Sequence, residues 1–140
     1  MDENEIWKEL LESDRRFTIE TYRFIQQALD YAAVISAVEE SGIGGDDEYV
    51  VHNDGHVTGR DLCYAVAEYA VREYGYLAKG VLAQLGLRKT GDLGDAVYNL
   101  VRAGLMSQSD DDKREDFDDV FDLAQELERL FKFNYSKKSR

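Results

Sequence analysis

The chain has 140 residues, 44% of them hydrophobic, and a formal net charge of −12. That length and apolar content suit one domain with a modest core and exclude a wholly disordered chain. The charge repels phosphate, so nucleic acid and anionic membrane are not expected partners, and the single cysteine, Cys63, excludes an intramolecular disulfide.

Taken in order, Asn4–Leu11 carries Ile6, Trp7, Leu10 and Leu11 at helical spacing, and Arg15 and Arg16 interrupt it. From Thr18 to Glu40 two apolar sides repeat, one through Ile19, Tyr22, Ile25 and Leu29, the other through Phe24, Ala28, Tyr31 and Ile35. A helix apolar on two sides is one buried between neighbours, so this run is expected to be a central strut. Ser41–Gly55 follows as a glycine-rich acidic loop. Tyr49–Val51 and His56–Val57 could pair around Asn53-Asp54-Gly55, because Asp-Gly favours a tight hairpin.

The next helix, Gly59–Tyr74, has the clearest local signals. Thr58 can accept from the amide three residues on, with Asp61 standing where a capping acid would answer it. Leu62, Val66, Tyr69 and Ala70 form the stripe, Cys63 and Ala67 widen it, and Gly75 is a left-handed stop. Glu68 and Arg72 take the favourable i,i+4 order. Tyr76–Leu85 reads as a short helix closed by Gly86. Thr90 or Asp92 caps the following one, whose inner face is Leu93, Ala96, Val97, Leu100 and Val101, with Gly104 as its end. Leu105–Gln108 suggests a strand, Ser109–Asp116 a charged loop, Phe117–Leu123 a weakly alternating strand, and Leu123–Phe133 a last helix. Residues 134–140 form a basic, frayed tail.

The fold expected is therefore mainly α: one compact helical domain over residues 1–133, with a winged-helix-like C-terminal half and one or two short β-hairpins. The helix pair Tyr76–Gly86 and Asp92–Gly104, followed by strand, wing and strand, is what suggests the winged helix. The chemistry of DNA reading is absent from it. Asp92 and Asp95 open the second helix, and Asp110, Asp111, Asp112, Glu115 and Asp116 in the wing face only Lys113 and Arg114.

The candidate sites each have a plainer reading. Asp54, Gly55, Val57, Thr58, Asp61 and Leu62 resemble the second half of a calcium loop. Its first and third places would be Val50 and His52, which bring no carboxylate. His52, His56, Asp61 and Cys63 are zinc-binding types at a spacing that matches no finger or ribbon. No nucleophile elbow, phosphate loop or His-Glu-x-x-His is present. No catalytic residue, cofactor or metal is expected. A carboxylate or metal-dependent hydrolase and a winged-helix regulator with partner-assisted DNA contact stay as the alternative functions.

Three segments carry a resemblance: His56-Val-Thr-Gly-Arg-Asp-Leu, Asp92-Leu-Gly-Asp-Ala-Val-Tyr-Asn-Leu-Val-Arg-Ala-Gly-Leu, and Asp112-Lys-Arg-Glu-Asp-Phe-Asp-Asp-Val-Phe-Asp. Together they resemble an uncharacterised family of small acidic proteins restricted to planctomycete and verrucomicrobial bacteria, over Phe17 to about Phe121. The resemblance implies a bacterial cytoplasmic origin and no catalytic residues. It draws attention to Gly59, Arg60, Arg114, Glu115 and Asp116.

Arg60, Arg114, Glu115 and Asp116 are expected to form a structural charge cluster, with arginine–carboxylate pairs fastening the acidic segment to the helical body. Asp110, Asp111, Asp112, Asp118 and Asp119 are the expected docking surface. Phe117, Val120 and Phe121, interleaved with those acids, argue for an ordered segment. No apolar run approaches the roughly 18 residues of a membrane span, and the start MDENEIWKEL is acidic rather than signal-like. The function expected is a non-enzymatic, cytoplasmic protein-interaction domain. Its partner would be another protein or a second copy, through aromatics such as Trp7, Phe17, Tyr64, Tyr74, Tyr76 and Tyr98.

Overall fold

A computed structural model describes residues 2–40, 58–108 and 112–138, with backbone alone for 35–40 and 134–138. Among these residues the elements are α1 (Glu3–Ser13), α2 (Ile19–Glu40), α3 (Gly59–Tyr74), α4 (Ala78–Gln84), α5 (Thr90–Arg102) and α6 (Leu123–Lys138). Two 3-10 turns, Gly75–Leu77 and Arg114–Phe117, complete them. Mainly α holds.

Local chemistry sets the helix starts. Asp2 caps α1 by accepting from the Glu5 amide at 2.8 Å. Ahead of α2, Thr21 Oγ1 accepts from the Thr18 amide at 3.1 Å and donates to the Leu85 carbonyl at 2.8 Å, which ties this end to the close of α4. Thr58 caps α3 through the Asp61 amide at 3.1 Å. Asp61 itself does not return the bond. Its side chain is buried, and Oδ2 has no hydrogen-bond partner among the described residues. α5 starts at Thr90, one residue after its cap position, and the Asp92 carboxylate accepts from the Arg88 and Lys89 amides at 3.0 and 3.2 Å. Thr90, the other expected cap, instead accepts from the Val120 amide at 3.2 Å.

The helices close on one core. α2 contributes Tyr22, Ile25, Ala28 and Ala32, and α3 contributes Leu62, Cys63, Val66, Ala67 and Ala70. Leu82 of α4 and Leu93, Ala96 and Leu100 of α5 meet them, and Leu123 and Leu127 lay α6 against α3. Each large side chain taken fully out of water contributes roughly 1.5–3 kcal/mol before the entropy of ordering it. Trp7 and Phe17 close the α1 side, their rings 5.9 and 6.0 Å from that of Tyr22.

The winged-helix half is not what forms. No strand occurs among the described residues, so Leu105–Gln108 and Phe117–Leu123 do not pair as a wing. Residues 105–108 leave α5 as irregular chain. The second segment enters through the 3-10 turn Arg114–Phe117, which drives Phe117 into the core. The alternation in Phe117–Leu123 is thus a buried anchor followed by the start of α6. The hairpin expected around Asn53-Asp54-Gly55 lies outside the described residues. α6 runs to Lys138, five residues past Phe133.

Candidate functional site

The acidic segment is fastened to the helical body by glycines and an arginine. Gly59 opens α3, and Gly91 and Gly94 lie in the first turns of α5. A Cβ on Gly94 would stand 2.6 Å from Phe117 Cβ, and one on Gly59 would stand 2.9 Å from Phe117 Cε2. Both glycines exist because the Phe117 ring comes too close for any side chain. With the ring seated, Arg114 lies along α5. Its Nε donates to Asp95 Oδ1 at 2.7 Å, Nη1 to Asp118 Oδ1 at 2.6 Å, and Nη2 to the Gly91 carbonyl at 3.0 Å.

Asp95 joins this arginine to another. Its Oδ2 accepts from Arg16 Nη1 at 3.0 Å, while Arg16 also grips Asp14 with Nε at 3.0 Å and Nη2 at 2.8 Å. Asn99, one turn past Asp95, donates Nδ2 to Asp14 Oδ2 at 3.0 Å and to the Tyr22 hydroxyl at 3.2 Å, and accepts from Arg102. The chain Asp118–Arg114–Asp95–Arg16–Asp14–Asn99 therefore spans the outside of α5 from the acidic segment to the α1–α2 junction.

These contacts shift the acids and bases as charge pairing requires. The Arg16 hydrogen bond holds the Asp14 carboxyl down at about 2, against the opposing effect of partial burial. Burial would raise the Asp95 carboxyl, but the hydrogen bonds from Arg114 and Arg16 outweigh it and keep it below its ordinary range. Arg114 is raised, chiefly by Asp118. All three groups are charged at neutral pH. They hold structure together and supply no proton donor poised near 7.

The expected cluster is thus half assembled, with different partners. Arg114 fastens the segment, but to Asp95 and Asp118 rather than to Glu115 or Asp116. Asp116 accepts from the Lys113 amide at 3.1 Å, and Glu115 is exposed. Arg60 is exposed and stands over the Tyr64 ring, 5.7 Å from its centroid, with no carboxylate pair among the described residues. Sequence reasoning missed Asp95, Arg16, Asp14 and Asn99. The available signal was Gly91 and Gly94 on one helical face, which marks a close approach to α5.

Of the expected docking residues, Asp112 is half-buried and Asp118 and Asp119 are exposed, while Asp110 and Asp111 lie outside the described residues. Asp119 adopts φ 48, which a non-glycine side chain rarely takes. Asp54, Gly55, Val57, His52 and His56 also lie outside them. Cys63 is fully buried, and burial pushes its thiol up to about 12, so it is a core side chain and no ready ligand or nucleophile. Among the described residues no three His, Cys, Asp or Glu side chains gather as a metal site requires. No helix among them is long and apolar enough to cross a membrane.

Beside the clamp lies a cavity of about 360 Å³ between α2, the first turn of α3, α5 and the 3-10 turn. Leu29, Leu62, Val97, Val101 and Met106 form its apolar walls, and Asp30, Asp112, Lys113 and Asp116 its charged lining. Past the C-terminal end of α3, Tyr76 and Leu77 are exposed at 81% and 65%.

Comparison with known proteins adds no name to this geometry: no family model, curated protein or solved structure matches the chain. Among the described residues, the stretches that begin at Thr58, Asp92 and Asp112 meet in space. Gly59 and Gly94 pack on Phe117, and Asp95 pairs with Arg114, so every contact joins the third stretch to one of the other two.

Proposed function

We propose that this chain is a non-enzymatic protein-interaction domain that presents its acidic segment to a basic protein surface. The observation that supports it most is the clamp on Arg114. A solvated acidic loop needs no anchor, yet this segment spends its one arginine and its buried phenylalanine on being held still. Glu115, Asp116, Asp118, Asp119 and Asp122 are left exposed on a fixed backbone. Ordering charges in advance removes part of the entropy cost of docking and lets opposite charge steer the encounter. On the family resemblance we infer a bacterial cytoplasmic protein, and on its net charge of −12 we infer that nucleic acid is not among its partners.

The test is affinity capture from the native host with two baits, the wild-type chain and the variant E115K/D119K. A partner with a basic surface, kept by the wild type at low salt and lost by the variant, supports the reading. Capture that ignores both the variant and the salt overturns it. A mass that rises with concentration in light scattering, with no partner captured, would move the reading to self-association.

A further inference from the structure

The acidic segment and the last turns of α6 are held at opposite ends of the same two helices. α6 begins at Leu123, directly after Asp122, and its 16 residues carry the chain about 24 Å to Lys138. α3 runs beside it in the same direction. Gly59 at its start packs on Phe117, and just past its end the Tyr76 ring lies 6.1 Å from that of Phe131. Charge is divided between the two ends. Residues 110–122 hold eight acids against Lys113 and Arg114, whereas residues 129–140 hold Arg129, Lys132, Lys137, Lys138 and Arg140 and no acid. Glu126 and Glu128 take up Arg129 and Lys132, and Arg72 offsets Glu73, which still leaves this end basic.

The basic end is also the apolar one. Tyr76, Leu77 and Phe133 are exposed there, and the stretch from Tyr74 to Leu87 contains Lys79 and no acid. Lys79 is exposed and pairs with no carboxylate among the described residues. An aromatic and a leucine side by side in solvent, next to cations, suit a contact with an anionic surface that has apolar parts of its own. The acidic segment is such a surface, with Val120 and Phe121 half-buried among its carboxylates. Within one chain the two cannot meet: about 24 Å is roughly three Debye lengths at physiological salt, and two helices keep it fixed. A second copy approaching end-on brings its acidic segment to the basic end and leaves the other charges of both chains screened from each other. Two basic ends would repel, so the contact joins unlike ends.

We propose that the Tyr76–Leu77 turn and the basic end of α6 receive the acidic segment of a second copy of this chain, head to tail, an inference that rests on the reading of that segment as a docking surface. Leu77 and the Tyr76 ring cover Val120 and Phe121 of the second copy. Lys79 and the Tyr76 hydroxyl, both donors, meet its exposed carboxylates at Asp118, Asp119 and Asp122.

Light scattering on the full chain over a concentration series reads the contact. At low salt the wild-type mass should climb past that of a dimer, since unlike-end contacts leave one end open at each step. So small a surface should give a dissociation constant of roughly 0.1–1 mM, and added salt should return the chain to the monomer. E115K/D119K breaks the acidic end, and L77N/K79Q, at two exposed positions, breaks the basic end, so each alone should stay monomeric. Their equimolar mixture should form a dimer and stop there, because one intact end of each kind remains, and that outcome also shows both variants folded. A wild type that is monomeric at every concentration would overturn the proposal. So would a dimer that survives E115K/D119K, or a mixture that stays monomeric. Binding of the monomeric wild type to phosphatidylglycerol vesicles, lost in L77N/K79Q, would assign this end to lipid and overturn it as well. If the wild type stays monomeric while L77N/K79Q keeps a basic partner that E115K/D119K loses, self-assembly fails and the docking role of the acidic segment stands.

Discussion

Arg114 and Asp95 meet at 2.7 Å across nineteen residues of chain, and each is held by a second charged partner, Asp118 for the arginine and Arg16 for the carboxylate. The pair is about two-thirds shielded from solvent on both sides. It lies between a fully exposed ion pair, which contributes little, and a buried one, whose desolvation offsets its attraction.

Removing Arg114 should therefore loosen the segment more than it unfolds the body. Arg114→Ala leaves Asp95 with one partner and the Gly91 carbonyl with none from this side chain. The expected loss is roughly 1–3 kcal/mol in urea denaturation. Hydrogen exchange should rise first at Asp116 and Val120, whose amides bond to Lys113 and Thr90, and later in α3. Arg114→Lys keeps the charge but cannot reach Asp95, Asp118 and Gly91 together, so it should recover less than half of the loss. Equal protection of both amides in wild type and Arg114→Ala would show that Phe117 alone holds the segment.

The glycines that admit Phe117 give a prediction with an internal control. Gly94→Ala puts a methyl 2.6 Å from Phe117 Cβ and 2.9 Å from Cγ. The ring must leave its seat, and overpacking of this kind costs roughly 1–3 kcal/mol. Gly80 lies within α4 with nothing within 4 Å of an added Cβ. Gly80→Ala should instead stabilise by about 0.5–1 kcal/mol, since only the unfolded chain loses freedom. Opposite shifts in melting temperature for the two variants are the expected outcome.

What could be read from the sequence follows the range of the interactions involved. Thr58, Gly75, Gly86 and Gly104 mark helix ends through contacts a few residues away, and the three glycines take φ 54, 82 and 78. The stripe Leu62–Val66–Ala70 repeats within one element and meets the core. Arg114 could be seen to need a carboxylate, but its partner is chosen by how the segment folds back on α5, and near neighbours such as Glu115 are poorly placed for it. The expected wing fails for a related reason. Phe117, Val120 and Phe121 alternate weakly, and weak alternation does not separate a strand from a buried anchor leading into a helix. The cavity was beyond sequence reading altogether, because its walls come from Leu29, Leu62 and Val101 on three helices.

Acid should open the α1 end of the charge chain. The folded Asp14 carboxyl lies at about 2 against an ordinary 3.8, so the unfolded chain binds the proton more readily. Its contribution to stability is complete above that ordinary value and is lost as pH falls from there toward about 2. Asp95 is shifted the same way and should add to the same limb. Asp14→Asn removes the titration, so its urea midpoint should fall less steeply over this window than that of the wild type. Parallel acid limbs for the two proteins would mean that other carboxylates carry the acid sensitivity.

Asp119 joins stability to the proposed docking. Its φ of 48 lies two residues past Phe117 and between the exposed side chains of Asp118 and Val120's half-buried one, where the chain turns toward α6. An aspartate tolerates the left-handed region better than most residues, yet glycine does so with less strain. Asp119→Gly should therefore leave stability unchanged or raise it by up to about 1 kcal/mol. The same change removes one exposed carboxylate and lets the turn move. If the segment binds a basic surface through ordered charge, the stabilised variant should capture less partner than the wild type, and Asp119→Asn should lie between them. A variant that is both more stable and equally retained would show that Asp119 serves the turn and not the partner.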